Sequence, residues 1–349
     1  MKKKIGVILF NLGGPDKLSA VKPFLFNLFN DPAIIGAPSF IRYFLAKLIS
    51  SKREKTAKEI YSFIGGRSPI LEETKEQKKQ LENLLKTEKD DYKVFISMRY
   101  WKPFINETVT KVMKWQPDEV ILLPLYPQFS TTTSGSSLNS WRKEIDTKKF
   151  RVPTKIICCY PTEENFIKAH VNEIKKIINK AKKQNINNKK IRILFSAHGL
   201  PEKIIKKGDP YQNQVEKTVS RVLESLNQGE FSYTICYQSK VGPLKWIGPS
   251  TEDEIIKATQ SKEAIILVPI AFVSEHSETL VELDIEYKEL ALKNGCELYL
   301  RAPALGKNEE FIKSLFKLVT QKKNEKIINA RVCSNDYKKC FYNTFWEKN

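Results

Sequence analysis

An α/β fold made of two similar doubly wound halves, each with a parallel sheet, is predicted by three observations. Short apolar, β-rich runs alternate with helix-like stretches along the chain. Two stretches recur: 8–15 (ILFNLGGP) resembles 193–201 (ILFSAHGLP), and 121–125 (ILLPL) resembles 266–270 (ILVPI). Composition supports a packed core, with 349 residues, 41% hydrophobic and 28% charged. That length fits two domains or one large one and excludes disordered, collagen-like and small secreted classes.

The elements follow in order. Residues 5–10 come directly after Lys2, Lys3 and Lys4, which imitates a signal peptide. Asn11-Leu12-Gly13-Gly14-Pro15-Asp16 follows at once, with no small-residue cleavage site. The run therefore reads as a buried first strand closed by a Gly-Gly-Pro turn, and the chain is expected in the cytoplasm. The repeated runs stand further apart in the first half, which marks residues 28–68 as an insertion. It carries Phe29, Ile34, Ile35, Phe40, Tyr43, Phe44 and Leu48 with Arg42, Lys47, Lys52 and Arg53. This reads either as a lip for a flat apolar ligand or a membrane surface, or as an ordinary amphipathic helix. Strands are then predicted at 94–97, 120–123, 156–159, 191–195, 233–236, 265–268 and 298–300. Helices are predicted at 166–181, 211–226 and 279–293, where the apolar residues are periodic. The expected domains are 1–137, the first half with its insertion; 138–315, the second half; and 316–349, an extension packing back on the first half.

The net charge is +19. The lysines are interleaved with Glu, Asn and Gln, and no DNA- or RNA-binding motif accompanies them, so a solvated basic surface is expected and no nucleic-acid partner. Six cysteines in so long a chain are not a disulfide scaffold. The best membrane-span candidate, 40–49, is broken by Arg42 and Lys47.

In open α/β sheets, ligands bind beyond the carboxyl ends of the strands. Polar residues just after strand runs therefore carry the functional information. After the first strand, the 11–15 turn matches neither a dinucleotide fingerprint nor a phosphate-binding loop. After 191–195 stands His198, one of only three histidines. A His at that place can take a proton near neutral pH or bind a metal. After 265–268 come Glu275, Glu278 and Glu282 at i, i+3 and i+7, with His276 among them. On a helix they form one acidic row, whose repulsion points to a divalent cation path or a proton relay. No HExxH and no zinc-spaced Cys cluster occurs. After 120–123 comes a loop rich in hydroxyls, 130–137, which reads either as an anion-binding loop or as a linker.

From about residue 5 to about 315 the chain resembles the ferrochelatases. The resemblance rests on 11–16, Ile64-Gly65-Gly66-Arg67-Ser68-Pro69, 98–100, 126–137, 194–201, Gly208-Asp209-Pro210-Tyr211, Gln238-Ser239-Lys240-Val241-Gly242-Pro243 with Trp246, and 269–287, in family order. It implies two Rossmann-like halves with a cleft between them. It also implies a lyase that inserts Fe²⁺ into protoporphyrin IX with release of two protons, the last step of haem biosynthesis. His198 and Glu278 match the catalytic positions, and His198, Glu278, Glu282 and His276 the metal-facing ones. Asp284 matches a further neighbour in the acidic row. Arg53, Tyr61 and Ser68 match contacts to the porphyrin edge and propionates, and Leu12, Phe29, Arg99, Tyr100, Tyr126 and Trp246 match the pocket walls. Tyr160 stands where animal members have Trp, and Glu163 where they have a His proposed for catalysis, so that role is not carried over. Some members hold a [2Fe–2S] cluster on four Cys. Here Thr131 replaces one ligand, and Cys333 and Cys340 alone stand in the extension. No cluster and no permanently bound cofactor is expected; Fe²⁺ is a substrate.

The expected mechanism places His198 on one face of the macrocycle and the Glu278 row on the other. A pocket fitted to a bent ring stabilises the transition state over the flat substrate. Insertion of another metal, use of coproporphyrin, or carriage of haem without chemistry stand as the alternative readings. Peripheral contact with a membrane is expected through the insertion.

Overall fold

The computed structural model describes residues 2–184, 190–226, 231–321 and 331–344. Their contacts separate into two compact units, 1–159 with 315–331 and 160–314 with 332–349.

In the first unit, β1 (Lys4–Asn11) is central. It pairs with β2 (Asp91–Met98) and β3 (Glu119–Pro124), and β3 pairs with β4 (Thr154–Ile156), all parallel. The second unit repeats the plan with β5 (Ile191–His198) between β6 (Phe231–Gln238) and β7 (Ala264–Pro269), and β8 (Tyr299–Arg301) outside β7. The recurring stretches occupy matching places, β1 with β5 and β3 with β7. Their ends agree to within one residue. Pro124 lies opposite Phe10 and Pro269 opposite Ser196. The next residues then resume the ladder, Leu125 N–H to Phe10 O at 2.8 Å and Ile270 N–H to Ser196 O at 3.0 Å. Proline lacks the donor and so marks the strand's last position. Val7, Ile8 and Leu9 of β1 and Ile193, Leu194 and Phe195 of β5 have no exposed surface. Each contributes about 1.5–3 kcal/mol of burial.

Around the first sheet lie α1 (Val21–Phe29), α2 (Ser39–Ser62), α3 (Ile70–Leu85), α4 (Ile105–Trp115) and α5 (Ser134–Thr147). The 28–68 insertion is mainly α2, packed on α1 with few buried residues of its own, Ala46, Ser50 and Tyr61. Around the second sheet lie α6 (Glu164–Lys182), α7 (Glu202–Lys206), α8 (Tyr211–Glu224), α9 (Thr251–Gln260), α10 (Tyr287–Lys293), α11 (Glu309–Thr320) and α12 (Phe341–Thr344), with α11 crossing into the first unit. No helix among the described residues is long and apolar enough to cross a membrane.

Three expectations differ from the structure. The first half does not stop at 137, because β4 pairs with β3 and the first unit runs on to Cys159. The predicted strand at 156–159 is shifted to β4: after Ile157 donates to Leu122 O at 2.9 Å the chain leaves the sheet. Residues 332–340 do not join the first half. Val332 O accepts from Lys217 Nζ, Cys333 Sγ from Gln214 Nε2 at 2.9 Å, and Gly208 O from Lys339 N at 3.1 Å, all in the second unit. Residues 322–330 and 345–349 of the expected extension lie outside the described residues.

Candidate active site

β5 ends on His198, opposite Gln238 at the end of β6. Gly199 follows because nothing larger fits. A Cβ there would stand 2.9 Å from Gln238 O and 3.2 Å from the Trp246 ring. Trp246 is held beside it by a bridge to Pro201, with Ile247 N–H to Leu200 O at 3.0 Å. Tyr211, buried at the start of α8, hydrogen-bonds the His198 backbone.

The predicted helix 279–293 begins instead as a π-helical segment, Glu278–Glu286, and becomes α10 only at Tyr287. A π-turn is wider than an α-turn and recurs at functional sites. Thr279 anchors its start, its Oγ1 accepting from His276 N at 3.0 Å. The acidic row is thereby split. Glu275 lies before the segment and faces Arg301 at 2.9 Å; Asp284 also meets Arg301, at 2.6 Å. Arginine thus neutralises these two, and Glu275 is held below the ordinary carboxyl range because Arg301 and hydrogen bonds from Thr279 and Ala304 N–H together outweigh its burial. Glu278 and Glu282 turn to the end of β5 and β6. Glu278 Oε2 meets His198 Nδ1 at 2.8 Å. Glu282 accepts from Ser239 N at 2.8 Å, Ser239 Oγ at 2.6 Å, Gln238 Nε2 at 3.0 Å and Tyr287 OH at 3.0 Å.

The electrostatics follow from these contacts. Burial depresses the His198 pKa, but the charge and hydrogen bond of Glu278 prevail and raise it. Burial pushes Glu278 up, and His198 outweighs that and holds it well below its ordinary value. Glu282 is raised by burial and by the neighbouring charge of Glu278. The three form a linked acid–base system in which only His198 Nε2 and the outer carboxylate edges remain for a substrate.

The opposite-face expectation is overturned. Groups on opposite faces of a flat ring stand about 7 Å apart or more, given carbon contact distances of roughly 3.5–4.0 Å on each face. At 2.8 Å, His198 and Glu278 are too close to stand on opposite faces of one ring. Among the described residues no three His, Cys, Asp or Glu side chains come together as a metal cage. His276 is buried, its Nδ1 accepts from Glu278 N at 3.1 Å, and its ring stacks against Phe272. It shapes the turn into the π-helix, and burial lowers its pKa despite Glu278 and Glu275. Glu163, departing from the animal pattern, caps α6 through Phe166 N at 2.9 Å.

In the first unit, Leu12, Phe29, Tyr61 and Tyr100 gather in one apolar cluster with Val21, Phe24 and Leu25. The exposed guanidinium of Arg53 lies 5.8 Å over the Phe29 ring. Ser68 is buried against Gly14, where a Cβ would stand 2.5 Å from the serine side chain. Arg99 is engaged internally. It pairs with buried Asp31 at 2.7 Å and donates to Ser136 at 2.7 Å, while Tyr100 OH reaches Asp31 at 2.8 Å. Tyr126 lies in the same surroundings, its pKa raised by burial. Residues 130–137 thus join the Asp31 network through Ser136, which also donates to Asp31 at 2.5 Å.

Gln238, Ser239, Tyr287 and Tyr211 were not singled out as site residues from the sequence. Gln238 and Ser239 stand two and three residues past the end of the predicted strand at 233–236, so the strand-end rule reaches them. Tyr287 and Tyr211 carry no such signal.

The ferrochelatase family model matches residues 4–323. A ferrochelatase of Pelagibacter ubique is 54% identical over 347 residues, covering 97% of this chain and 98% of that one. A ferrochelatase of Rickettsia bellii is 52% identical over 348 residues, covering 97% and 95%. Among solved structures, SirB from Bacillus subtilis with Fe³⁺ aligns with a TM-score of 0.53 at 11% identity, covering 92% of this chain and 95% of that one, which shows a shared fold. With the matched model and relatives spanning nearly all of its length, the chain belongs to the ferrochelatase family, the enzymes that insert ferrous iron into protoporphyrin to make haem.

Proposed function

We propose that His198 and Glu278 work as one acid–base pair on a single face of protoporphyrin IX. The observation that carries this is the 2.8 Å contact through Nδ1, which leaves Nε2 open. A free-base porphyrin must lose two pyrrole N–H protons as Fe²⁺ enters. Neutral His198 takes a proton at Nε2 while Glu278, accepting from Nδ1–H, stabilises the imidazolium formed. Glu282, its pKa raised by burial and by the charge of Glu278, is the next carboxylate along the same path. Trp246, held beside His198, supplies a rigid surface against which a bent ring is favoured over a flat one. Arg53, exposed over the Phe29 ring, is a cation suited to a propionate. We further place the enzyme in the cytoplasm, touching membranes peripherally through α2. The test is to mix pure protein, protoporphyrin IX and Fe²⁺ without oxygen and to follow the absorbance change to haem. His198→Ala should lower kcat by roughly 100-fold or more, the lower range of general acid–base catalysis, with its circular dichroism unchanged. A variant turning over at the parental rate removes His198 from the chemistry.

A further inference from the structure

We infer that Ser239 is a positioning residue that sets the Glu278–Glu282 carboxylate pair, and through Glu278 the orientation of His198. The inference rests on the acid–base reading above. Ser239 is the first residue past β6, and its backbone adopts φ +63°. This is the left-handed region that glycine occupies freely and serine does not. The conformation has a consequence. It turns the backbone N–H toward Glu282 and the side-chain hydroxyl toward Glu282 and Glu278. The N–H meets Glu282 Oε1 at 2.8 Å, and the Oγ meets Glu282 Oε2 at 2.6 Å and Glu278 Oε2 at 3.3 Å.

The same Glu278 oxygen contacts His198 Nδ1. One hydroxyl therefore touches both acids, and one oxygen joins it to the histidine. Gln238 reinforces the arrangement. Its Nε2 reaches Glu282 at 3.0 Å, and its Oε1 accepts from Ser196 Oγ on β5 at 2.7 Å, which fixes the amide's orientation. Two carboxylates this close repel when both are ionised, so left alone they would swing apart. A hydroxyl shared between them opposes that movement. Residues that orient a catalytic or metal-facing group in this way commonly change rates by about 10–100-fold when removed.

The test uses Ser239→Gly and Ser239→Ala in the full chain. Both keep the N–H and delete Oγ. Glycine also relieves the positive φ and alanine does not, so the two separate stability from positioning. The expected result is a fall in kcat of about tenfold in both. The KM for protoporphyrin IX should stay within twofold, and the glycine variant should have a Tm equal to or above the parent. Three outcomes overturn the inference. One is kcat within twofold of parent in either variant. Another is a loss that follows Tm rather than the missing hydroxyl. The third is a rise in porphyrin KM with kcat intact, which makes Ser239 a ring contact. His198→Ala measured alongside separates this failure from failure of the acid–base reading. If that variant also keeps full activity, the reading itself has fallen.

Discussion

The 2.8 Å contact between His198 and Glu278 gives each residue a pKa that the other sets. His198 lies above its ordinary 6.5 and Glu278 below its ordinary 4.5. The stabilising contribution of His198 is full below about 6.5 and is lost as pH rises through its raised folded value. That of Glu278 is present above about 4.5 and is lost as pH falls through its lowered folded value. The pair therefore steadies the chain most between those two values. Catalysis runs the other way, because only neutral His198 accepts a proton. The acid limb of the kcat/KM profile should lie above pH 6.5. Glu278→Gln removes the charge that raises His198 and leaves burial to lower it, so the limb should move to lower pH while kcat falls. A pH–rate profile with an unmoved limb shows that Glu278 does not tune His198. His198 and Glu278 were legible from the sequence because one follows a strand run and the other opens an acidic row. Their contact was not, since nothing in the spacing of residues 198 and 278 says that β5 and the loop after β7 converge on one face.

At the scale of elements, the segment after β7 shows where periodicity misleads. Residues 279–293 have helical spacing, and an α-helix would align Glu275, Glu278 and Glu282 in one row. The first turns are π-helical and begin only at Glu278, so Glu275 is left to Arg301 while Glu278 and Glu282 reach Ser239. The insertion was legible in type and open in purpose, and α2 now bears on that purpose. Phe40, Phe44 and Leu48, spaced i, i+4 and i+8, are 66%, 66% and 52% exposed. An apolar stripe of this kind on a helix marks a contact surface. Arg42 is not part of its charge, since it donates to Asn30 O and Ala37 O at 2.8 and 2.7 Å and braces the turn after α1. Lys47, Lys52 and Arg53 remain exposed, each worth about 1 kcal/mol near an anionic surface. The chain should therefore sediment with anionic vesicles at low salt and be released by salt. Phe40→Asp with Phe44→Asp should abolish most of that binding while leaving the Tm unchanged. Absence of wild-type binding at low salt would reduce α2 to a lid over the ring.

At the scale of the whole molecule, the repeat carried most of the fold. Four short recurring runs marked the central and neighbouring strands of both sheets because buried parallel strands read as near-continuous apolar, β-branched runs. The attachments of 332–340 were not legible, because a tail without periodicity gives no sign of the helix it will meet. The same distribution of residues argues the last expectation, which concerns iron. A [2Fe–2S] cluster needs four ligands converging on one site. Cys158 and Cys159 close the first unit with their Sγ atoms 3.4 Å apart, buried where the chain leaves β4. Cys236 lies within β6, its thiol pushed up to about 12 by burial, far from the thiolate a cluster requires. Cys333 accepts from Gln214 of α8, and Thr131 occupies the place of one family ligand. Protein purified without added metal should show no absorbance bands of an iron–sulfur cluster and no stoichiometric acid-labile sulfide, and chelators should leave its Tm unchanged. Sulfide in stoichiometric amount, or a chelator-induced fall in Tm, would require a ligand set drawn from cysteines that this fold holds buried.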